Sequence, residues 1–388
     1  MTVPPVTIVA HNVGGVGGME RQLEWLVTGL LEAGGEVTII SRTCRLPTHH
    51  RMRWIRVPGP NRPFPLAFPW FYLAASIVTS RRRRGLVHTT GSLIANRVDL
   101  ATVHFCHLGG RRHGGLGRRR RADLAYTANA WLSLVLSEIT ERWSYRSGRV
   151  RRLVAVSPGV GHEVRSCFPR CGELVETIPN GVDFDEFRPD EGRRAVERAA
   201  LGLSEDALAA VFVGGDWERK GLAHALAAVG RRPAWHLLVV GAGDEAQYRR
   251  HAAEAGCADR VHFAGEMTNV SRFYLAGDAF ILPSHYESFS LATYEAAASG
   301  LPLLVTRVSG VEDILSDGEN GWFISPDADT IEPRLAQLEA DLMLRTAMGR
   351  KAHATAQRFD WASVVSAYCD LYRRLASNGA TRPAANAR

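Results

Sequence analysis

The sequence predicts an α/β protein of two Rossmann-like domains, each built on a parallel sheet. The chain has 388 residues, which is more than one ordinary hydrophobic core accommodates. Short β-branched runs alternate with segments of helical spacing, as in parallel strands joined by crossover helices. The alternation stops at a Pro/Asn/Gly turn cluster near residue 180 and then resumes. We therefore predict an N-terminal domain at 1–180, a second domain at 181–358, a C-terminal helix at 359–376 and a disordered tail at 377–388.

The first domain opens with a strand, a glycine-rich loop and a helix. An apolar run at 6–10 precedes the loop VGGVGG at 13–18. Apolar residues then recur at helical spacing from 19 to 33, and Gly34 ends the helix. Further strands are predicted at 37–40, 86–88, 100–105 and 152–156.

The second domain repeats the pattern. Its strands are predicted at 208–213, 235–240, 261–263, 279–282 and 303–306, with helical segments between them. The C-terminal helix carries its apolar residues on one face. We expect this face to pack back on the N-terminal domain.

Hydropathy and cysteine usage favour a cytoplasmic protein. The longest apolar candidate, at 69–78, is much shorter than the roughly 18 residues that a membrane span needs. The N-terminal apolar run lacks the basic segment of a signal peptide. The six cysteines form no CxxC pair and no zinc spacing, so we expect buried thiols in a reducing compartment.

Charge is distributed unevenly along the chain. Residues 1–170 hold 25 Arg, no Lys and 9 acidic residues, a balance of +16, whereas the remainder carries −9. A basic first half indicates a surface that meets anions, either lipid head groups, an acidic acceptor or nucleic acid. No nucleic-acid-binding motif accompanies the arginines, so we expect no nucleic acid partner. The alternative is that the arginines only solvate the surface.

The basic clusters suggest docking on an anionic inner membrane face. Arginines are dense at 81–84, 111–112 and 118–121, beside an apolar and aromatic segment. This predicts a peripheral membrane surface next to a lipid-linked or otherwise anionic acceptor. The aromatic residues that we expect at the interface are Phe64, Phe68, Trp70, Phe71 and Tyr72.

Two glutamates eight residues apart give the sharpest chemical signal. Glu287 follows the strand predicted at 279–282, and Glu295 lies in a helix predicted at 290–299. Ligands of open α/β sheets bind beyond the carboxyl ends of the strands, where Glu287 lies. The backbone N–H groups of a helix start favour phosphate. The residues that provide them here are Ser288, Phe289, Ser290 and Leu291. The alternative is two solvated glutamates beside an ordinary helix.

Two adjacent cations follow the strand predicted at 208–213. Arg219 and Lys220 precede a helix, and Lys220 is one of two lysines in the chain, with Lys351. An Arg fork and a Lys point charge suit a diphosphate and stabilise the charge that develops on a departing nucleotide. A solvated helix start is the alternative.

These motifs together resemble glycosyltransferase family 4. The resemblance rests mainly on two motifs, VGGDWERKGL at 213–222 and PSHYESFSLATYEAAASGLP at 283–302. The second has the family's E-x7-E spacing. Smaller matches are GGMER at 17–21, VS at 156–157, PNGVD at 179–183 and DGENGW at 317–322. The adjacent Arg-Lys is similar to bacterial lipopolysaccharide core glucosyltransferases. The resemblance implies the GT-B fold, in which two Rossmann-like domains face a cleft.

The resemblance also implies roles for individual residues. Glu295 is expected at the ribose of the nucleotide and Glu287 at the transferred sugar. Arg219 and Lys220 are expected at the diphosphate. The close approach of backbone to donor phosphates is expected at Gly17 and Gly18. The family's usual arginine after the Val-Gly of the 213–222 motif is Gly215 here, and we expect Arg219 to replace it.

Two further features of the family find matches here. The family places a histidine near the anomeric carbon, at the end of a strand. VHFCH at 103–107 offers His107, which we favour, and His104. Glu312 matches a loop near the donor sugar, where Gly310 and Val311 are expected to offer backbone N–H groups. The DxD letters at 183–185 lie in a turn and are not expected to bind metal.

The resemblance implies a retaining glycosyltransferase of the hexosyltransferase type. It moves a sugar from a nucleoside-diphosphate sugar to a hydroxyl of a glycan or lipid-linked acceptor, with no metal and no cofactor besides the donor. A nucleotide-sugar 2-epimerase of the same fold is one alternative. Another is a basic membrane- or nucleic-acid-binding protein on an inactive transferase scaffold.

Overall fold

The computed structural model describes residues 3–15, 17–112, 124–204 and 206–380. The side chains of 111–112, 124–128 and 378–380 lie outside this description. The chain divides into two compact units. Unit 1 takes residues 1–180 together with residues from Trp361 onward, and unit 2 is Gly181–Asp360.

Unit 1 is built on a parallel sheet. Its strands in the described chain are β1 Val6–Val9, β2 Asn12–Val13, β3 Val37–Ser41, β4 Thr43–Cys44, β5 Met52–Arg56, β6 Leu86–Thr90, β7 Val98–Val103, β8 Val150–Ala155 and β9 Val175–Thr177. The main sheet has the order β5-β3-β1-β6-β7-β8-β9, and β2 pairs with β4. The helices in residues 3–180 are α1 Gly18–Glu32, α2 Phe64–Arg82, α3 His107–Arg112, α4 Leu124–Ser144 and α5 Pro158–Cys167.

The opening of unit 1 confirms the predicted strand, loop and helix. Every residue of β1 is buried, as expected for a central parallel strand covered on both faces. Helix α1 turns Leu23, Leu26, Val27 and Leu30 into the core. Gly34 follows the helix in a left-handed conformation, with φ at 81°. The strands β2, β4, β5 and β9 were not foreseen, and some strand limits differ from prediction, as where β7 ends at Val103 rather than residue 105.

A C-terminal helix, α13 (Trp361–Ala380), belongs to unit 1 and packs on its core, as expected. Tyr372 Oη lies 2.7 Å from His88 Nδ1, and Thr102 Oγ1 lies 2.7 Å from His88 Nε2. Burial lowers the pKa of His88 to about 3, so this histidine is neutral between two hydroxyls. The disordered tail predicted from residue 377 starts too early, because the helix continues to Ala380; residues 381–388 lie outside the description.

Helix α2 corrects the prediction about aromatic side chains at an interface. Phe68 and Phe71 point into the core, with 6% and 1% of their surfaces exposed, so they are not available to an interface. Phe64 and Trp70 are exposed, and Tyr72 is half-buried. None of the helices in the described ranges is long and apolar enough to cross a bilayer.

Unit 2 is also an α/β structure built on a parallel sheet. In the described part of unit 2, which leaves out residue 205, the helices and strands are α6 Glu191–Ala200, β10 Leu208–Val213, α7 Leu222–Gly230, β11 Trp235–Val240, α8 Glu245–Glu254, β12 Val261–Gly265, α9 Ser271–Ala276, β13 Ala279–Leu282, α10 Leu291–Ala298, β14 Leu303–Thr306, β15 Gly321–Ile324, α11 Ala328–Ala340 and α12 Leu342–Ala356. The strand order is β12-β11-β10-β13-β14-β15. All five predicted strands are present, and β15 was not foreseen. The chain leaves β10 first toward β11 and later returns to β13, so a topological switch point lies between β10 and β13.

A buried carboxylate stabilises the end of this sheet at which β10 and β13 begin. Asp278 accepts the Ala209 N–H at 2.9 Å and lies 2.8 Å from Arg194 and 3.2 Å from Arg198. These contacts join the starts of β10 and β13 to α6. A buried carboxylate is stable only when it is paired and hydrogen-bonded in this way.

We predict that Asp278→Asn destabilises unit 2 by about 3–5 kcal/mol, because two arginines lose their buried counter-ion. Urea unfolding followed by circular dichroism measures the change. Asp329→Asn is the control, since Asp329 pairs with Arg231 on the exposed surface, and it should cost less than about 1 kcal/mol. Equal effects of the two substitutions would contradict this account.

Candidate active site

The predicted site in unit 2 lies at the switch point of its sheet. The loop after β10 carries Arg219 and Lys220, and the loop after β13 carries Glu287. The loops touch at Gly221, whose φ is 74° and where an added Cβ would lie 2.2 Å from the Pro283 carbonyl oxygen. Only glycine tolerates both the left-handed backbone and this approach.

Hydrogen bonds to backbone carbonyl groups join the two loops. The His285 N–H donates to the Arg219 carbonyl at 2.9 Å, and Arg219 Nη1 donates to the Tyr286 carbonyl at 2.6 Å. Thr306 Oγ1 donates to the Ser284 carbonyl at 2.6 Å and links the second loop to β14. The position of the cations is therefore set by both loops.

Three predicted residues meet in one ion cluster. Lys220 Nζ lies 2.7 Å and Arg219 Nη1 lies 3.3 Å from the same oxygen, Glu287 Oε1. Ser284 Oγ donates to that oxygen at 3.0 Å. Glu287 and Ser284 are buried and Lys220 is largely so. Ser284 was not predicted, although it stands in the turn quoted for the family resemblance.

The charges of this cluster decide the ionisation of Glu287. Burial alone would raise its pKa, but Lys220 and then Arg219 outweigh burial and hold the pKa below its usual value. Glu287 is thus a carboxylate that holds two cations at the edge of the sheet. The pair would offer positive charge to an anion arriving there.

Arg219 also forms a hydrogen bond within its own loop. This contact concerns the position of Gly215, where the family usually has an arginine. Arg219 Nε donates to Asp216 Oδ2 at 3.0 Å, and Asp216 has a positive φ of 53°. A Cβ on Gly215 would lie 3.3 Å from the Ala242 carbonyl oxygen, so the first loop runs close to the loop after β11. That Arg219 replaces the family's arginine stays a prediction.

Glu295 has surroundings of its own on α10. Its Oε2 accepts the Tyr274 hydroxyl at 2.9 Å, and the side chain is half-buried. At the start of α10, Ser290 makes no side-chain cap, and its hydroxyl instead pairs with Thr293 Oγ1 at 2.7 Å. Phe289 stacks on Tyr294, with ring centroids 4.5 Å apart.

The loop after β14 differs in one detail from the expected donors. Glu312 is exposed, and the Gly310 carbonyl accepts the Tyr294 hydroxyl at 2.6 Å. The Val311 N–H already donates to the Val308 carbonyl at 3.1 Å. It is therefore not offered to a ligand in this conformation, contrary to expectation.

The predicted residues of unit 1 lie at the carboxyl ends of its strands. Gly17 caps α1 without a side chain, and Gly18 is the first helical residue. A Cβ on Gly17 would come within 2.1 Å of the Glu20 carboxylate. Residue 16 lies outside the description, whereas Gly14 and Gly15 on its other side have positive φ values of 73° and 132°.

The two candidate histidines have different surroundings. His104 directly follows β7 and lines a small cavity with His88 and Tyr368. Burial lowers the pKa of His104 to about 4, so it is neutral. His107 begins α3; its side chain is 39% exposed, and its Nδ1 lies 2.7 Å from Glu141 Oε1. Glu141 was not predicted.

Matches to known families cover most of the chain in two parts. The model for glycosyl transferases group 1 matches residues 193–355. The model for glycosyltransferase family 4 matches residues 16–186. The two matched ranges contain Gly17 and Gly18 and the loops after β7, β10 and β13 described above.

Known relatives and solved structures agree with these matches. The chain is 33% identical over 218 residues to the D-inositol 3-phosphate glycosyltransferase of Acidothermus cellulolyticus, covering 52% of this chain and 48% of that protein. The chain thus spans about half the length of such curated relatives. WaaG, a glycosyltransferase involved in lipopolysaccharide biosynthesis, has a similar fold, with a TM-score of 0.78 and 19% identity over 95% of this chain and 99% of WaaG. Anabaena Alr3699/HepE in complex with UDP-glucose follows with a TM-score of 0.71 and 16% identity, covering 98% and 100%.

The fold is that of the GT-B class, and both family models that match the chain describe glycosyltransferases. Within that class the chain is similar to glycosyltransferase family 4, as its motifs indicated. The family resemblance, the fold class and the enzyme class predicted from the sequence are confirmed.

We predict that the free energy difference between wild type and Glu287→Gln depends on pH. The folded-state pKa of Glu287 is lowered, so the carboxylate stabilises the fold above the ordinary value of 4.5, and this stability is lost as pH falls below it toward the folded-state pKa. The difference should therefore be largest near pH 7 and shrink below pH 4.5. Urea unfolding across this range measures it. Glu319→Gln, at an exposed position, is the control and should show only a small difference from wild type.

Proposed function

We propose that this protein transfers a sugar from a nucleoside-diphosphate sugar to a hydroxyl acceptor, with retention of anomeric configuration and without a metal ion. The observation that carries the proposal is the buried ion cluster at the switch point of unit 2. There Lys220 and Arg219 share one oxygen of Glu287, at 2.7 Å and 3.3 Å. The UDP-glucose bound to the Anabaena protein of similar fold supports this class of donor.

In this proposal the cations act on the leaving group. The bond between C1 of the sugar and the diphosphate oxygen breaks, and the diphosphate keeps the electron pair. Lys220 and Arg219 stabilise its growing negative charge, and the N–H groups at the start of α10 add to this. The acceptor oxygen bonds to C1, and its proton passes to the departing phosphate oxygen. Because the cations are already held by Glu287, they need not be gathered during the reaction.

Other residues would bind the rest of the donor. Glu295 is proposed for the ribose hydroxyls, with its Oε2 held by the Tyr274 hydroxyl at 2.9 Å. Glu287 and His107 are proposed for the transferred sugar, and Gly17 and Gly18 for the donor phosphates. No cofactor besides the donor is proposed.

The metal-free mechanism rests on where the charges lie. Two side-chain cations already stand where a divalent ion would otherwise balance a diphosphate. The DxD letters at 183–185 serve the backbone, since Asp183 Oδ1 accepts the Asp185 N–H at 2.8 Å and the Glu186 N–H at 3.3 Å. Such a turn employs the carboxylate locally.

Lys220→Ala is expected to lower kcat by roughly 100-fold at saturating donor, because one preorganised charge at the leaving group is lost. Product formation from a panel of nucleotide sugars is the measurement, with and without EDTA, and wild-type transfer should persist in EDTA. Lys351→Ala is the matched control, since Lys351 is the other lysine and is exposed on α12.

Near-normal turnover of the Lys220 variant would remove the diphosphate role. Activity that vanishes in EDTA and returns with magnesium would overturn the metal-free mechanism. Formation of an epimeric donor without transfer would favour the 2-epimerase alternative.

We further propose that unit 1 meets an anionic membrane, where the acceptor is lipid-linked or otherwise anionic. Helix α2 exposes an apolar stripe at helical spacing, formed by Leu66, Trp70, Leu73 and Ile77, each more than half exposed. The arginines at 81–84, all exposed, follow at the end of the helix. Helix α4 adds exposed apolar side chains, among them Trp131 and Ile139. The other clusters, at 111–112 and 118–121, lie outside the described side chains.

The chemistry of this surface favours a bilayer over water. An exposed apolar stripe flanked by cations matches an interface of acyl chains and anionic head groups. Each basic residue near an anionic surface contributes about 1 kcal/mol, and salt screens this attraction.

Replacing Arg81 and Arg82 with Gln is expected to lower binding to vesicles rich in anionic lipid by more than about tenfold. Replacing Leu66, Leu73 and Ile77 with Gln should weaken binding even at low salt. Flotation of the transferase with neutral and anionic vesicles measures both. Leu342→Gln with Met343→Gln is the control, because these apolar residues are exposed on unit 2. Equal binding to neutral and anionic vesicles, or none at low salt, would rule out this docking.

A further inference from the structure

A buried carboxylate in unit 1 lies directly behind His107. Glu141 is on α4, and its side chain is 1% exposed. Its Oε1 accepts the backbone N–H of His107 at 2.9 Å and faces the Nδ1 of the same residue at 2.7 Å. Its Oε2 accepts the Leu108 N–H at 3.2 Å. One side chain thus serves the start of α3 and the imidazole together.

The donors around Glu141 determine which ring nitrogen carries a proton. An ionised carboxylate only accepts hydrogen bonds, so Nδ1 of His107 must be protonated to share Oε1 with a backbone N–H. The other nitrogen, Nε2, is then the atom that the half-exposed ring offers outward. The orientation of the ring is fixed as well, because the backbone and the ring of His107 bind the same oxygen.

The neighbours of Glu141 do not compete for this role. Burial and then the charge of Glu141 raise the pKa of the Cys106 thiol, which keeps the thiol protonated. The Tyr145 hydroxyl is kept neutral in the same way, since burial and then Glu141 raise its pKa. His107 is therefore the partner through which Glu141 can affect a reaction.

We propose that Glu141 is the positioning residue of His107, holding Nδ1 protonated so that Nε2 is the atom presented to the transferred sugar. The proposal rests on the proposed function, in which His107 contacts that sugar. It follows the general arrangement in which a third group orients a reactive side chain and selects its tautomer. Glu141 itself touches no substrate in this scheme.

The protonation of Nδ1 can be observed without an activity assay. Long-range proton–nitrogen NMR spectra of the full chain labelled with 15N-histidine distinguish the ring nitrogens, and His107→Ala identifies the signals of His107. We expect a protonated Nδ1 in the wild type. An unprotonated Nδ1 would overturn the proposal.

Kinetics then separate positioning from stability. Glu141→Gln removes the charge and leaves one of the three N–H groups facing an amide NH2. We expect kcat per folded enzyme to fall about tenfold or more, with little change in the donor KM. In the His107→Ala background, Glu141→Gln should add less than a twofold loss, because the group through which it acts is gone.

The control is Asp99→Asn. Asp99 also accepts a backbone N–H, from Val87 at 2.9 Å, and bonds Arg151 at 2.8 Å, but it lies at the start of β7, whereas His107 lies beyond the end of that strand. It should lower the melting temperature and leave kcat unchanged. The same fold loss from Glu141→Gln in both backgrounds, or no loss in the wild type, would reduce Glu141 to a structural role and overturn the proposal. Wild-type kcat in His107→Ala would overturn it too. If the wild type transfers no sugar, the proposed function fails and the nitrogen spectrum alone decides the protonation claim.

Discussion

The pairing of Glu287 with Lys220 and Arg219 is the interaction on which the candidate site depends. A buried carboxylate is unfavourable alone, and so are two adjacent cations, but together they are stable at the edge of the sheet. The consequence reaches beyond the three side chains. The loops after β10 and β13 must lie close enough for the ions to meet, and this requires a glycine at 221 and the hydrogen bonds from His285 N–H and Arg219 Nη1 that join the loops. The ion pairs therefore require the two loops to lie close together, and the contacts between the loops hold the ions in place.

Most of the strands could be predicted from the sequence, because parallel strands that are buried on both faces are apolar throughout. Five strands, β10 to β14, were predicted in unit 2. Four of them have the predicted limits, and β12 is two residues longer than predicted. The chemical residues that could be found were those that stand next to such strands within recognisable motifs, as Arg219, Lys220 and Glu287 do. For these residues, topology converts sequence position into spatial position.

What the sequence did not reveal has a common physical cause. Glu141 is separated from His107 by 34 positions and stands in a helix that also carries Glu138 and Arg142, so only tertiary packing singles it out and brings it to His107. The edge strand β15 has only four residues, and the edge strand β5 carries Arg53 and Arg56, which hide it from hydropathy. The orientation of Phe68 and Phe71 depended on which face of α2 meets the sheet, and a helix that is apolar on all sides does not disclose it.

The placement of α13 has a consequence for the biosynthesis of the protein. Unit 2 is one uninterrupted stretch of chain, whereas unit 1 needs a segment that the ribosome delivers only after all of unit 2. Until Tyr368 and Tyr372 arrive, His88 and Thr102 lack the hydroxyls that satisfy them in the core. The usual order, in which the N-terminal domain matures first during translation, is thereby reversed. Unit 2 can finish folding on the ribosome while unit 1 remains open, and a nascent chain stopped before residue 361 would expose the apolar surface that α13 covers.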